Sequence, residues 1–147
     1  AGWLVAERGR SLGVMSTRGS QMNFAIIPRA VTYDGPVAVL VDGLSGSTAE
    51  ILAGGLQSLG RARVFGTRTA GAALPAVTAE LPDGDVLLYA VADYVMADGV
   101  SIEGAGVSPD VEVALTRESL LSGKDAVLDA AVAWLTGQGG SGHEDQE

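Results

Sequence analysis

Apolar and polar positions along the 147-residue chain fall into short blocks separated by turn residues. The run VAVLVD, 37–42, is five apolar residues and then an aspartate. An unbroken Val/Leu run of this length predicts a strand buried on both faces, as in a parallel sheet. A small-residue helical pattern follows over roughly 48–59 and stops at Gly60, and RARVFG, 61–66, predicts a second buried strand. Strand, helix and strand within about 30 residues make a βαβ unit. Upstream, SLGVMST (11–17) and MNFAII (22–27) predict two strands around the turn RGSQ, and GWLVAER (2–8) predicts the end of a helix closed by Gly9. Downstream, 67–76 is a loop of small residues. Residues 77–99 predict a strand pair joined by Pro82-Asp83-Gly84-Asp85, with a second turn at Asp98-Gly99, and 101–113 a loop and short strand. Residues 117–136 predict one closing helix with Val127, Leu128, Ala131, Trp134 and Leu135 on a shared face. The segment 137–147, glycine-rich and then acidic, is expected to be disordered.

Composition narrows the classes. Hydrophobic residues make up 47% of the chain and charged ones 18%, enough apolar material for a core. With few aromatics, packing rests on Val, Leu, Ile and Ala, and Trp3 and Trp134 read as core or helix-packing residues. A net charge of −9 disfavours nucleic acid and anionic membrane as partners, since both require clustered Lys and Arg. The absence of cysteine excludes disulfides, thiolate metal sites and a cysteine nucleophile. No run of about 18 apolar residues is present to form a membrane-spanning helix. The opening AGWLVAERGR lacks Met and reads as starting inside a helix, which sets the expectation of a piece whose N-terminal portion, with any targeting signal, has been removed.

Candidate chemistry centres on GPVAVLVDGLSGSTAEILAGGL, 35–56. Two readings of Ser47 stand side by side. Ser47-Thr48-Ala49-Glu50 matches the capping box, in which the hydroxyl accepts from a backbone N–H three residues on and the glutamate reaches back. Taken alone, the tetrapeptide favours that structural reading. Yet a serine where a buried strand turns into a helix also stands at the carboxyl edge of a sheet, where α/β folds bind ligands. The free N–H groups of the first helical turn point toward that spot and can hold an oxyanion formed by attack on a carbonyl. Gly43, Gly46, Gly54 and Gly55 allow close approach, which a cap does not need.

The segment DGLSGSTAEILAGGLQSLGRARVFGTRTAGAALP resembles the serine peptidase family that holds the C-terminal processing (tail-specific) proteases, the tricorn-type proteases and the retinoid-binding repeats of the eye. That family shows a Ser-Ala-Ser-x-Ser-Glu-like segment opening a helix, then Gly-Arg-Ala and a Gly-x-x-Thr-x-Gly loop. LPDGDVLLYAVADYVMADGVSIEGAGVSPDVEV is similar to its closing pattern, and the likeness runs in unbroken order from about residue 35 to 113. The resemblance implies an α/β fold of the ClpP/crotonase-like kind: stacked ββα units, with mixed sheets flanked by helices. It implies Ser47 as nucleophile, with Ser45 a flanking position, and Thr48 as an oxyanion donor through its backbone N–H. The implied division is a C-terminal part of a catalytic domain over 1–136 and an acidic tail over 137–147.

The chain departs from the processing-protease pattern at two positions. The family's general-base lysine falls on Ala72, 25 residues past Ser47, and its supporting glutamine on Ala76. The one lysine, Lys124, precedes the last predicted helix, and the one histidine, His143, lies in the tail. The resemblance then points to the tricorn-like branch, where a histidine from an earlier part of the domain is the base and an acid orients it. That acid maps to Glu103, for which a solvated loop acid is the plain alternative. In such a set the base activates the hydroxyl and the acid holds the base's tautomer. Asp42 reads as a strand-end or capping residue and Asp110 as a turn residue.

The implied function is a serine endopeptidase acting through an acyl-enzyme on Ser47, with the chain alone lacking the base and a second oxyanion donor. A catalytically inactive peptide- or ligand-binding member of the fold, and a crotonase-like acyl-CoA enzyme, are the alternatives. No metal or organic cofactor is implied. The expected partner is a polypeptide substrate in extended conformation, added as a strand beside a sheet. Self-association into a homo-oligomer is left open, no nucleic acid is expected, and the place of action is expected outside the cytoplasm.

Overall fold

The structure, a computed structural model, describes residues 1–138. Eight strands and three helices follow one another: β1 Ser11–Ser16, β2 Gln21–Ala25, β3 Ala38–Val41, α1 Thr48–Ser58, β4 Arg63–Gly66, β5 Ala76–Glu80, β6 Val86–Ala90, β7 Asp93–Met96, β8 Val111–Glu112, α2 Arg117–Leu121 and α3 Ala126–Gln138. They form a three-stranded sheet in the order β2-β1-β7, a second in the order β3-β4-β8, and the hairpin β5-β6. The first is antiparallel throughout, whereas β3, β4 and β8 run parallel. This is a mixed α/β architecture, and β3-α1-β4 is the βαβ unit expected from the sequence.

Helix α1 is the centre of the stack. Its Ile51 joins Tyr94, Ile102 and Val107 in a cluster against the antiparallel sheet. Its Ala53 packs with Val41 and Val64 of the parallel sheet. A helix pressed from two sides needs small residues. A Cβ on Gly55 would lie 2.6 Å from a Leu12 methyl carbon and 3.3 Å from the Leu12 Cα, and one on Gly54 would lie 2.8 Å from the Met96 sulfur. On the far side of the parallel sheet, α3 lays Val127 and Ala131 over Phe65, with Trp134 beside it.

Six expectations are corrected. Residues 2–4 form a turn and not a helix end: the amides of Leu4 and Val5 bond the Ala1 carbonyl, and the backbone of Gly2 lies against the Ile27 carbonyl. Trp3 is 63% exposed, with Arg29 over its ring, so it is not a core residue. The pair expected over 77–99 is three strands: β6 stops at Ala90, and β7 leaves the hairpin to pair with β1. The single helix expected over 117–136 is two, because Gly123 takes a left-handed φ of 69° and Asp125 caps a new start, accepting from the amides of Val127 and Leu128. On α3, Leu128 turns outward. Strand β3 is also less buried than expected of a strand covered on both faces: it is the edge of its sheet, and Leu40 is exposed while Val64 and Phe65 of central β4 are covered. Helix α3 runs into the glycine-rich segment as far as Gln138; the remainder of the expected tail, with His143, lies outside the described residues.

Candidate active site

The connection from β3 to α1 is built by its own side chains. Asp42 Oδ1 accepts from the amides of Leu44 (2.9 Å) and Ser45 (3.0 Å) and from the Ser45 hydroxyl (3.2 Å), and the Ser45 hydroxyl accepts from the Asp42 amide (3.1 Å). Asp42 is thus the strand-end residue expected, and Ser45 is spent on the turn. Leu44 stands at the tip, 92% exposed.

Ser47 follows in a strained conformation. Its φ of 57° and ψ of −126° make it the one non-glycine residue with positive φ among those described. Such a backbone costs of order 1–3 kcal/mol and persists only where its surroundings impose it. It is also how a nucleophile elbow lifts a serine hydroxyl off a strand-to-helix turn. Ser47 is exposed, so its hydroxyl is not walled in by packed side chains. Of the two halves of the capping box, the glutamate half is firm: Glu50 accepts from the Ser47 amide at 3.0 Å. The serine half is loose, because the Glu50 amide donates to the Ser47 carbonyl at 2.9 Å and the hydroxyl makes no well-formed cap bond. The amides of Ala49, Glu50 and Ile51 are all bonded within the turn, whereas that of Thr48 has no acceptor among the described residues. One unspent donor therefore sits beside the exposed hydroxyl.

Glu50 does far more than cap. It is 0% exposed and forms no ion pair among the described residues. Its carboxylate takes hydrogen bonds from the Thr69 hydroxyl, the Gly71 amide (2.7 Å), the Ala72 amide (2.9 Å) and the Ser47 amide. Burial pushes its pKa up, but these four donors outweigh burial and hold it below the usual 4.5. The Ser47 amide is shared with the Ala72 carbonyl at 2.9 Å, and the Ala70 amide donates to the Ser45 carbonyl at 3.0 Å. The 69–72 loop is thereby fastened along the serine turn. Thr69 extends the network, accepting from the Val107 amide at 2.7 Å. Gly71, with a φ of 68°, lets this loop touch the next: a Cβ there would stand 2.9 Å from the Gly106 nitrogen.

The structure places the other sequence candidates plainly. Ala72, at the position of the family's base lysine, lies against Ser47 through main-chain contact, and its methyl group cannot take a proton. Ala76 opens β5. Glu103 is exposed, and its Oε2 accepts from the amides of Ala73 (2.7 Å) and Leu74 (3.0 Å). Four consecutive amides, 71–74, thus point at two carboxylates, Glu50 and Glu103. Glu103 Oε1 has no partner among the described residues. Asp110 is structural, tying Gln57 to the Val64 amide. Sequence reasoning missed Thr69; its one signal was the threonine of Gly-x-x-Thr-x-Gly. A cleft of about 400 Å³ is lined by Val41, Asp42, Ser45, Thr67, Leu115 and Val127 among others, but Ser47 does not line it.

Known proteins resemble this chain in sequence and fold. The sequence profile of peptidase family S41 matches residues 2–113. The carboxy-terminal-processing protease of Bartonella bacilliformis is 33% identical over 119 residues, 78% of this chain and 27% of that protein. The photosystem II D1 C-terminal processing protease superposes with a TM-score of 0.62 at 31% identity, over 76% of this chain and 28% of the other. The tricorn protease superposes with a TM-score of 0.69 at 27% identity, over 88% of this chain and 13% of the other. The chain spans about a quarter or less of the curated relatives it matches.

Proposed function

The chain belongs to peptidase family S41, and from that premise we propose that it carries the nucleophile of a serine endopeptidase acting on extended polypeptide. The observation that supports this most is the conjunction at Ser47: positive φ, an exposed hydroxyl held only loosely as a cap, and the unspent Thr48 amide beside it.

In the reaction the Ser47 oxygen attacks the scissile carbonyl and gives its proton to a base. The new oxyanion takes a hydrogen bond from the Thr48 amide. Collapse releases the amine, which receives that proton, and leaves an ester on Ser47 that water then cleaves. The base is a histidine supplied by another part of a longer protein, oriented by the free Oε1 of Glu103. Supporting this is the alanine at position 72 and the lack of a His or Lys hydrogen-bonded to Ser47 among the described residues. On the same reading the chain by itself is inactive, and the protein works outside the cytoplasm, as the resemblance implies. Among the described residues no helix is long and apolar enough to cross a membrane.

Ala72 also favours a second reading, a member that binds peptide without cleaving it. A fluorophosphonate probe separates the two. The full-length protein, base included, is expected to be labelled, with labelling lost in Ser47→Ala. A folded full-length protein that takes no label, yet binds peptide in calorimetry, supports the binding module instead.

A further inference from the structure

The hairpin β5-β6 leaves the body of the protein with an unpaired side. Strand β5 pairs with β6 alone, through Val77 opposite Tyr89 and Ala79 opposite Leu87. The alternation of its ladder follows from two bonds at its ends: Val91 N donates to Pro75 O, and Leu81 N donates to Asp85 O. Antiparallel hydrogen-bonded pairs recur every second residue. Residues 75, 77, 79 and 81 therefore turn their main-chain groups toward β6. Ala76, Thr78 and Glu80 turn theirs outward, where no strand among the described residues takes them. The outer edge of β6 is unpaired among the described residues as well, with a concavity at its end shared by the 17–19 turn, Tyr89, Ala90 and Val91, and β5 is the strand that follows directly from the loop beside Ser47.

This edge is continuous with the candidate active site. Ala72 O accepts the Ser47 amide, Glu103 holds the amides of 73 and 74, and β5 starts at residue 76. At about 3.3 Å per residue the outward groups begin within ~13 Å of the Ser47 contact. The side chains beside the edge are apolar on one face, with Val77, Leu87 and Tyr89 exposed. Between Thr69 and Thr116 the chain has no Lys or Arg, and the hairpin end carries Glu80, Asp83 and Asp85.

We propose that the outer edge of β5 is the docking strand for the polypeptide substrate, which adds as a third strand to β5-β6 through the main chain of Ala76, Thr78 and Glu80, with preference for apolar residues interspersed with basic ones. The inference rests on the reading of Ser47 as nucleophile and identifies how the substrate is aligned to it. Main-chain bonds to an edge supply affinity without sequence dependence, and the side chains flanking the edge supply the preference.

The test uses the Ser47→Ala chain and two blocked dodecapeptides, one alternating Val and Lys and one alternating Val and Glu. The Val/Lys peptide is expected to slow hydrogen exchange at the amides of Ala76, Thr78 and Glu80, and the Val/Glu peptide to bind more weakly, a difference that salt reduces. Thr78→Pro removes one outward N–H and no bond to β6, and is expected to weaken binding by roughly tenfold, the worth of about one hydrogen bond. If that variant fails to fold, the peptide itself serves: N-methylation on one set of alternate amides is expected to abolish binding and on the other set to spare it. Bound peptide that leaves the three amides unprotected, absence of binding, or equal tolerance of both methylation patterns overturns the inference. Fluorophosphonate labelling of Ser47 in the full-length protein is unaffected by those outcomes. Loss of labelling sinks the nucleophile, and loss of protection sinks the docking strand.

Discussion

At the scale of single residues, Glu50 and Ser47 form one device. The carboxylate collects four donors because the serine turn and the 69–72 loop both converge on it. A glutamine cannot replace it, since an amide nitrogen would face N–H groups that need an acceptor. Hydrogen bonds to a charged group contribute about 1.5–3 kcal/mol each, and the loss is shared among the donors. Glu50→Gln is therefore expected to destabilise the fold by about 2–4 kcal/mol in chemical denaturation. The folded carboxyl is more acidic than the unfolded one, so its stabilising effect is full above the ordinary value of 4.5 and is lost as pH falls through the lower folded value. In the glutamine variant this part of the acid limb should be absent from a plot of stability against pH. Retention of the full acid limb would show that other carboxylates produce it. The strain at Ser47 makes a second expectation. Glycine adopts φ of 57° freely and alanine does not, so Ser47→Gly should be more stable than Ser47→Ala by about 1 kcal/mol. An alanine variant as stable as the glycine variant would mean that the backbone there is not strained.

At the scale of elements, the close seat of α1 decides how far the glycines can change. Alanine normally improves a helix by about 1 kcal/mol over glycine. At position 55 the added methyl meets Leu12 at 2.6 Å, so Gly55→Ala is expected to lower stability by about 1–3 kcal/mol and to reduce the melting temperature. A rise in melting temperature would show that β1 can yield. The elements legible in the sequence were those with a local cause. The βαβ unit came from two apolar runs around a small-residue helix, and β1-β2 and β5-β6 from their turn residues. Ser47-Thr48-Ala49-Glu50 was legible as a cap, but the three further donors to Glu50 are not, because they come from residues 19 to 22 positions away. Glu103 meets Ala73 and Leu74 across a comparable gap. The break between α2 and α3 did have a local signal, glycine followed two residues later by a capping aspartate, overridden by the apolar periodicity on either side. The turn at 2–4 had none: Val5 reaches the core without a helix because the backbone of Gly2 lies against Ile27.

At the scale of the whole molecule, the two sheets hold α1 from both sides, and the loops carrying Thr69, Gly71 and Glu103 close over its N-terminus. The scaffold presents an exposed serine and the unspent Thr48 amide and, among the described residues, no His or Lys hydrogen-bonded to that serine. This 147-residue chain by itself is accordingly expected to hydrolyse peptides no faster than buffer, and turnover abolished by Ser47→Ala would contradict a base supplied from elsewhere. The most direct test of the central claim is intact-protein and peptide mass spectrometry of the longer protein that supplies the base, after exposure to a fluorophosphonate. The account predicts a single adduct on Ser47 that is absent from Ser47→Ala. An adduct on another residue, or none on a folded and peptide-binding protein, would contradict it.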